Sequence, residues 1–508
     1  MLSKTRSAAI LALDVFLIDV EVDIARGLPS FTIVGLPDAS INESKDRVRS
    51  AVKNSGFDFP SHRITVNLAP ADLRKEGPAF DLPVALGVLS ATEQLEPELL
   101  KDFLAVGELS LDGAVRPVRG MLPIALAARE NGVSSLILPS ENMAEARLVE
   151  GLTLFPAESL GQVVRDLAGG VRGETASGPA KLEDSEPSCE VDFSEVKGQE
   201  SAKRALEIAA AGNHNVFMIG PPGSGKTMLA RRLPTILPPL TIGEALEVTR
   251  LYSVSGLLRK DSPLVNERPF RAPHHTSSSS GLLGGGTSLR LGEVSLAHMG
   301  VLFLDEVPEF HRDVLESLRQ PLEDGLITIS RSAFTATVPS VFLLVAAMNP
   351  CPCGNRGDSA RECTCHPQQV RRYLTKMSAP LMDRIDLHLE VPRLKPGELS
   401  SRAEGEPSRS IRQRVVEARE RQNSRFKNSR TRTNSRMTAR EIRHYCSVGP
   451  ETEELLRAAV SRLGLSARAY SRILKMARTI SDLAGRDSIT AGDVAEAIQY
   501  RSLDRSAL

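Results

Sequence analysis

Gly220-Pro221-Pro222-Gly223-Ser224-Gly225-Lys226-Thr227 fits G-x-x-x-x-G-K-[ST], the pattern of a phosphate-binding loop. Asn215 to Ile219 reads as a short buried strand before it, and Met228 to Leu233 as the first turns of a helix after it. The chemistry needs that context. Glycines let backbone N–H groups turn inward around phosphate oxygens, and a helix N-terminus adds partial positive charge. Lys226 would reach the β- and γ-phosphates, and the Thr227 hydroxyl would sit on Mg²⁺. The alternative is a chance glycine-rich turn, which requires neither flanking element. Gly300-Val301-Leu302-Phe303-Leu304-Asp305-Glu306 supplies the other half. It is an apolar run ending in two acids, as expected of a buried strand carrying carboxylates at its C-terminal end in a parallel nucleotide-binding sheet. Asp305 would hold Mg²⁺ through water, and Glu306 would polarise the attacking water. The two motifs together specify hydrolysis of ATP with Mg²⁺.

The elements that position these residues belong to a chain of 508 residues, enough for two to four domains. The hydrophobic fraction, 41%, is that of an ordinary globular protein. Basic and acidic residues balance at 63 each, so net charge names no partner. Trp is absent and aromatics are 4%, which leaves few platforms for stacking on bases. No apolar run reaches the ~20 residues that span a bilayer. Met1 to Asp23 alternates apolar residues with Asp14, Asp19 and Glu21, a strand pattern and not a signal peptide. Six cysteines, four of them within fifteen residues, do not form a disulfide framework. The expectation is a cytoplasmic protein in a reducing compartment, with no membrane partner.

Residues 1–168 read as α+β material without a phosphate loop. Val15 to Val22, Ser30 to Val34 and Arg63 to Leu68 read as strands, Ile41 to Ser55 and Asp81 to Ala91 as helices. Val106 to Gly113, Val115 to Val118, Ala127-Ala128, Asn131-Gly132 and Leu136 to Asn142 resemble the proteolytic domain of Lon proteases. That resemblance implies the fold of ribosomal protein S5 domain 2, and it implies a Ser–Lys dyad. Here Gly77-Pro78 is followed by Ala79, and Leu122 to Ile124 contains no lysine. Alanine offers no nucleophile, so the front domain is expected to build or contact, not to cleave. Residues 169–192 have the composition of a linker, with Cys189 isolated in it.

Residues 193–395 form the expected ATPase core. Phe193 to Gln199 followed by the helical stretch Glu200 to Ala211 resembles the approach to the phosphate loop in AAA+ proteins. A helix over Arg312 to Gln320 and a hairpin from Gly325 to Arg331 follow. The strand Val341 to Met348 ends in Asn349, which resembles the sensor-1 position of AAA+ proteins and would orient the attacking water; a helix-capping Asn before Pro350 is the alternative. Arg271-Ala272-Pro273-His274-His275-Thr276-Ser277, Gly284 to Gly286, Gly292 to His298, Leu318 to Glu323 and Asn349-Pro350-Cys351-Pro352-Cys353-Gly354 are similar to the YifB/ComM family of magnesium-chelatase-like AAA+ ATPases. The resemblance covers essentially the whole chain. It implies an α/β AAA+ core with a parallel sheet and a helical lid, assembled as a homo-hexamer. For ComM-type members it implies a DNA motor that promotes branch migration when incoming DNA recombines. The alternative it leaves is a chelatase-type motor driving a partner protein.

Further residues enter through these resemblances. Ala379 to Asp386 resembles the stretch carrying the arginine finger, with Arg384 presented to the neighbouring subunit's γ-phosphate; an ion pair with Asp383 or Asp386 is the alternative. Arg468, opening a helix with apolar Ile473, Leu474, Ala477 and Ile480 on one stripe, resembles the sensor-2 arginine of AAA+ lids, against a solvated arginine. Arg331 resembles the channel-hairpin basic residue of MCM helicases and is the candidate DNA contact. Cys351, Cys353, Cys363 and Cys365 could close a tetrahedral Zn²⁺ site or remain thiols. Residues 396–508 comprise a basic segment and the helical lid. Ser401 to Arg440 carries twelve Lys/Arg against four Glu, which favours a polyanion partner. Thr490 is the expected N-cap of the last helix.

Overall fold

The computed structural model describes the chain except residues 180–190, 260–261, 287–289, 332–333, 359–360, 395–404 and 502–508. The described residues form two compact units.

The front unit comprises Met1–Asp184, Thr241–Asn266 and Ser330–Ala336. Its sheet contains β1 (Leu2–Leu11), β2 (Asp14–Ala25), β3 (Ser30–Val34), β4 (Arg63–Ala69), β5 (Phe103–Ala105), β6 (Ser135–Pro139), β7 (Thr153–Ala157) and β8 (Glu174–Thr175). Their spatial order is β8-β7-β6-β5-β1-β2-β4-β3. The alternating N-terminus folds as two strands, β1 and β2, paired antiparallel from Leu2↔Asp23 to Leu11↔Asp14. Ile18, Val20 and Val22 are fully buried, as a period of two demands. The helix Asp81–Ala91 is buried at all eleven positions. Its first residue, Asp81, would be costly there alone. Arg47 Nε and Nη2 donate to it at 2.6 and 3.1 Å, and the Leu109 amide at 3.2 Å.

The positions compared with the Lon dyad are apolar. Ala79 lies in the 3₁₀ turn Pro78–Phe80, and Leu122 and Ile124 are buried in the helix Met121–Glu130. Two features extend this unit beyond residues 1–168. Strand β8, inside the stretch read as linker, pairs antiparallel with β7. The helix Ile242–Ser255 also belongs here: the Gly120 amide donates to Ser253 O at 3.2 Å, and Ser253 Oγ bonds the buried Glu145 carboxylate. Neither contact is local in sequence, so composition could not reveal it. Cys189 lies outside the described residues.

The second unit comprises Ser185–Leu240, Glu267–Ile329 and Thr337–Leu508. Its sheet contains β9 (Val216–Ile219), β10 (Phe270–Arg271), β11 (Val301–Leu304), β12 (Leu343–Met348) and β13 (Leu387–Glu390), all parallel, in the order β10-β11-β12-β9-β13. Burial on both faces explains the unbroken apolar runs: every residue of β11 and β12 is buried. The stretch Arg312 to Gln320 forms two short helices, Arg312–Ser317 and Arg319–Asp324, that meet at Leu318. The expected hairpin is present as Leu326–Arg331 paired with Phe334–Pro339. The Arg331 side chain lies outside the described residues.

Five C-terminal helices complete this unit: Ser408–Arg425, Ala439–Tyr445, Pro450–Leu463, Ala467–Leu483 and Ala491–Gln499. Ser466 caps the fourth, with Ile473, Leu474, Ala477 and Ile480 buried as one stripe. Thr490 caps the fifth in a reciprocal box with Asp493. The helix Ser408–Arg425 explains much of the basic segment. It buries Ile411, Val415, Ala418 and Gln422 and uses its arginines internally. Arg412 donates to Thr235 O at 2.8 Å, Arg414 to Glu207 at 2.5 Å, Arg419 to Ala210 O at 2.7 Å and Arg425 to Asp482 at 2.8 Å. No helix among the described residues is long and apolar enough to cross a membrane.

Candidate active site

Strands β9, β11 and β12 are parallel neighbours, so their C-terminal ends open on one edge of the sheet. That edge is where ligands bind in open α/β sheets. β9 delivers Gly220 to Thr227, β11 delivers Asp305 and Glu306, and β12 delivers Asn349. In-register pairing of Ile219 with Met348 and of Leu304 with Ala346 brings together three segments that are far apart in the chain.

The loop backbone fits a triphosphate. Gly223 (φ +75) and Gly225 (φ +96) take left-handed conformations, and a Cβ on either would point into open space. The helix Lys226–Ile236 starts after Gly225 with no side-chain cap on its first turn. Its leading amides are therefore available to an anion. Ser224 Oγ is buried without a hydrogen-bond partner among the described residues. Gly220 is needed for a different reason: a Cβ there would lie 2.1 Å from Val391 O.

Lys226 Nζ is folded onto Gly220 O (2.6 Å), Pro221 O (3.1 Å) and Asn349 Oδ1 (3.3 Å). Burial lowers its pKa, against the pull of Asp305 and Glu306. A cation held only by neutral oxygens beside two carboxylates is poised for an anionic ligand. Thr227 Oγ1 donates to Asp305 Oδ2 at 2.8 Å, so the hydroxyl and carboxylate expected on one Mg²⁺ already converge. Glu306 adopts φ +50, unusual for a residue with a Cβ, and its side chain is 55% exposed. Among the described residues no helix follows Asn349 before Pro367. Helix capping is thus excluded, and Asn349 faces Lys226.

His275 is a site residue that the motif reading did not assign. Its Nδ1 lies 3.8 Å from Glu306 Oε2, with its ring against His274 and Phe310. The His274-His275 pair was visible, but only β10 pairing in parallel with β11 places it beside the acid.

Arg384 and Arg468 lie elsewhere. Both line a cavity of about 340 Å³ that includes no phosphate-loop residue. Arg384 is buried; Nη1 donates to Pro380 O at 2.6 Å, Nη2 pairs with Glu323, and Nε has no partner among the described residues. Its acid is thus neither Asp383 nor Asp386. Arg468 is 65% exposed, 3.9 Å from Asp383. Arg436, Arg472 and Lys475 line the same cavity, which makes it strongly basic despite Glu323 and Asp386. Burial acts to raise the Asp386 carboxyl, but Arg472, His214 and Lys475 outweigh it and hold the group well below the usual carboxylate range.

Comparison with known proteins agrees with this arrangement. Residues 192–399 match the family described as magnesium chelatase, subunit ChlI; residues 20–142 match subunit ChlI of Mg-chelatase, and residues 405–501 its C-terminal part. The chain is 45% identical to YifB of Salmonella typhimurium over 491 residues, 96% of this chain and 94% of that one. It is 45% identical to the competence protein ComM of Haemophilus influenzae over 494 residues, 96% and 95% of the two chains. The chain belongs to the magnesium-chelatase-like AAA+ family that contains YifB and ComM. Lon protease of Brevibacillus choshinensis is 27% identical over 160 residues, 29% of this chain and 20% of that protein. The fold is accordingly the AAA+ core with helical lid and Lon-like front domain expected from sequence. The family implies an ATPase that uses a nucleotide and Mg²⁺, and the residues at the sheet edge fit both.

Proposed function

We propose that this protein is an ATP-driven ring motor that acts on DNA and promotes branch migration during recombination of incoming strands. The observation that carries the reading is the full hydrolytic set at one sheet edge, in a chain similar along nearly its whole length to a competence protein. Bound Mg·ATP supplies the scissile phosphoanhydride bond and its driving force. The amides after Gly223 and the Lys226 ammonium bind the phosphates once Lys226 leaves Gly220 O and Pro221 O. Thr227 and Asp305 would hold Mg²⁺. Glu306 accepts the proton of the attacking water, Asn349 orients that water, and His275 positions the Glu306 carboxylate.

Arg384 and Arg468 share a basic cavity apart from their own phosphate loop, and the Arg384 Nε donor is unspent. Both facts support a ring in which each copy offers these arginines to the nucleotide of its neighbour, and the family resemblance makes that ring a homo-hexamer. The front domain, apolar at the Lon dyad positions, contributes assembly or substrate contact. Four arginines of the helix Ser408–Arg425 are bonded internally, which favours the Leu326–Pro339 hairpin and Arg331 as the DNA contact.

ATPase turnover measured with forked, four-way and linear DNA tests the reading. Branched DNA should stimulate turnover most. A rate indifferent to every DNA would refute the DNA motor and favour a chelatase-type motor that drives a partner protein.

A further inference from the structure

The sulfur atoms of Cys351, Cys353, Cys363 and Cys365 all lie within 4.8 Å of one another. Sγ of Cys351 is 3.4 Å from that of Cys353 and 3.6 Å from that of Cys363; Cys353 and Cys363 are 3.7 Å apart. These separations exclude disulfides, whose sulfurs lie about 2.05 Å apart. They agree with the edge of a tetrahedron around one ion: Zn–S bonds of about 2.3 Å give S···S edges of about 3.8 Å. They are too short for thiolates spread over the several irons of a cluster. Two loops bring the ligands in as C-x-C pairs, and Gly354 (φ +80) makes the turn after the first. The Cys353 amide donates to Cys365 Sγ at 3.3 Å, an N–H···S contact that favours thiolate.

The same segment forms the outer wall of the phosphate loop. A Cβ on Gly354 would lie 2.6 Å from Cδ and 2.7 Å from Cγ of Pro222, so the Gly354 backbone packs directly on the Pro222 ring. Asp358 pairs with Arg393 at 3.1 Å, and Arg393 Nη2 donates to Pro222 O at 3.4 Å. Cys351 follows Asn349, the partner of Lys226, by two residues.

We propose that Cys351, Cys353, Cys363 and Cys365 bind one structural Zn²⁺, and that this closed site braces the phosphate loop through Gly354, Asp358 and Arg393. With four protein ligands the ion has no open position and performs no chemistry itself. It fixes two loops that carry little secondary structure of their own. Asn349 and Pro222 are thereby held in place for the nucleotide. The bracing half rests on Gly220 to Thr227 being the nucleotide loop; the zinc half does not.

The test uses the full chain purified without chelator. Metal analysis should find about one zinc per chain. Titration with a mercurial thiol reagent should release it, read with a chromogenic zinc indicator. Absence of zinc, or iron in its place, would overturn the site. Binding of a fluorescent ATP analogue, followed during the same titration, should weaken as zinc leaves, on the order of tenfold or more. Gly354→Ala should keep its zinc yet bind the analogue several-fold more weakly. Cys363→Ser should lose zinc and bind more weakly. If zinc leaves and affinity holds, or if Gly354→Ala binds like wild type, the bracing role falls and the site stands as a separate staple. Wild-type protein that holds zinc but binds no analogue would refute the nucleotide assignment and leave the zinc site intact.

Discussion

Glu306→Gln separates chemistry from binding more cleanly than any other change at this site. The substitution keeps size and shape and removes one negative charge. Glu306 bears no packing: its side chain is 55% exposed, and its one ion-pair contact among the described residues is His275 at 3.8 Å. An exposed pair of that kind is worth less than about 1 kcal/mol, so the melting temperature should hardly move. The phosphate cradle is also untouched: Lys226 bonds Gly220, Pro221 and Asn349, Thr227 bonds Asp305, and Glu306 meets Asp305 through its backbone amide at 2.9 Å, which glutamine keeps. Losing one acid near the buried Lys226 ammonium affects binding only through charge. What disappears is proton acceptance in the transition state, worth roughly 10² to 10⁴ in rate. At 1.36 kcal/mol per decade that is about 3 to 5 kcal/mol of barrier. The assay is steady-state phosphate release, beside binding of a fluorescent ATP analogue and a thermal melt. The expected variant melts like wild type, binds ATP as well or better, and turns over at least a hundredfold more slowly. Turnover within about threefold of wild type, less than 1 kcal/mol of barrier, would refute Glu306 as the base. Lys226→Ala should differ, losing affinity because the charge on the phosphates is gone.

Arg384→Ala and Lys226→Ala chains, each inactive alone, should regain ATPase activity when mixed, because a ring can then pair an intact arginine with an intact loop; full activity of Arg384→Ala alone would refute its role in trans. Arg331→Ala should keep basal ATPase and lose stimulation by DNA, and wild-type affinity for DNA should fall steeply with salt as phosphate contacts release counterions. Unchanged stimulation, or affinity indifferent to salt, would move the DNA contact away from the hairpin. Asp386 titrates lower in the folded protein than in the unfolded chain, so its contribution to stability is complete above the unfolded value of about 3.9 and is lost as pH falls through the folded value. Wild type should therefore lose denaturation midpoint more steeply than Asp386→Asn between about pH 5 and 2.5; parallel slopes would show that Asp386 carries no such linkage.

The sequence by itself determined the features written within a few bonds of one another. The phosphate loop and the Asp305-Glu306 pair are read from spacing, because each works through backbone conformation and one strand's end. The helix Asp81–Ala91 and strand β3 lie where the sequence placed them, and Thr490 caps its helix because a cap bonds only two or three residues on. The four cysteines were legible as a set for the same reason. Tertiary structure decided everything that depends on which strand lies beside which. Inserting β12 between β11 and β9 sets Asn349 beside Lys226, 123 positions away, and rules out its role as a cap. Pairing of β10 with β11 sets His275 beside Glu306. Arg384 has an acid one residue before it and another two residues after it, yet it pairs with Glu323, which is 61 positions away. The net charge of the basic segment gave no sign that the arginines of Ser408–Arg425 are spent on Thr235, Glu207, Ala210 and Asp482. Local geometry follows from covalent neighbours and short hydrogen bonds. The partner of a buried charge is chosen by the fold, which must satisfy that charge with whatever acid or carbonyl the packing brings within reach.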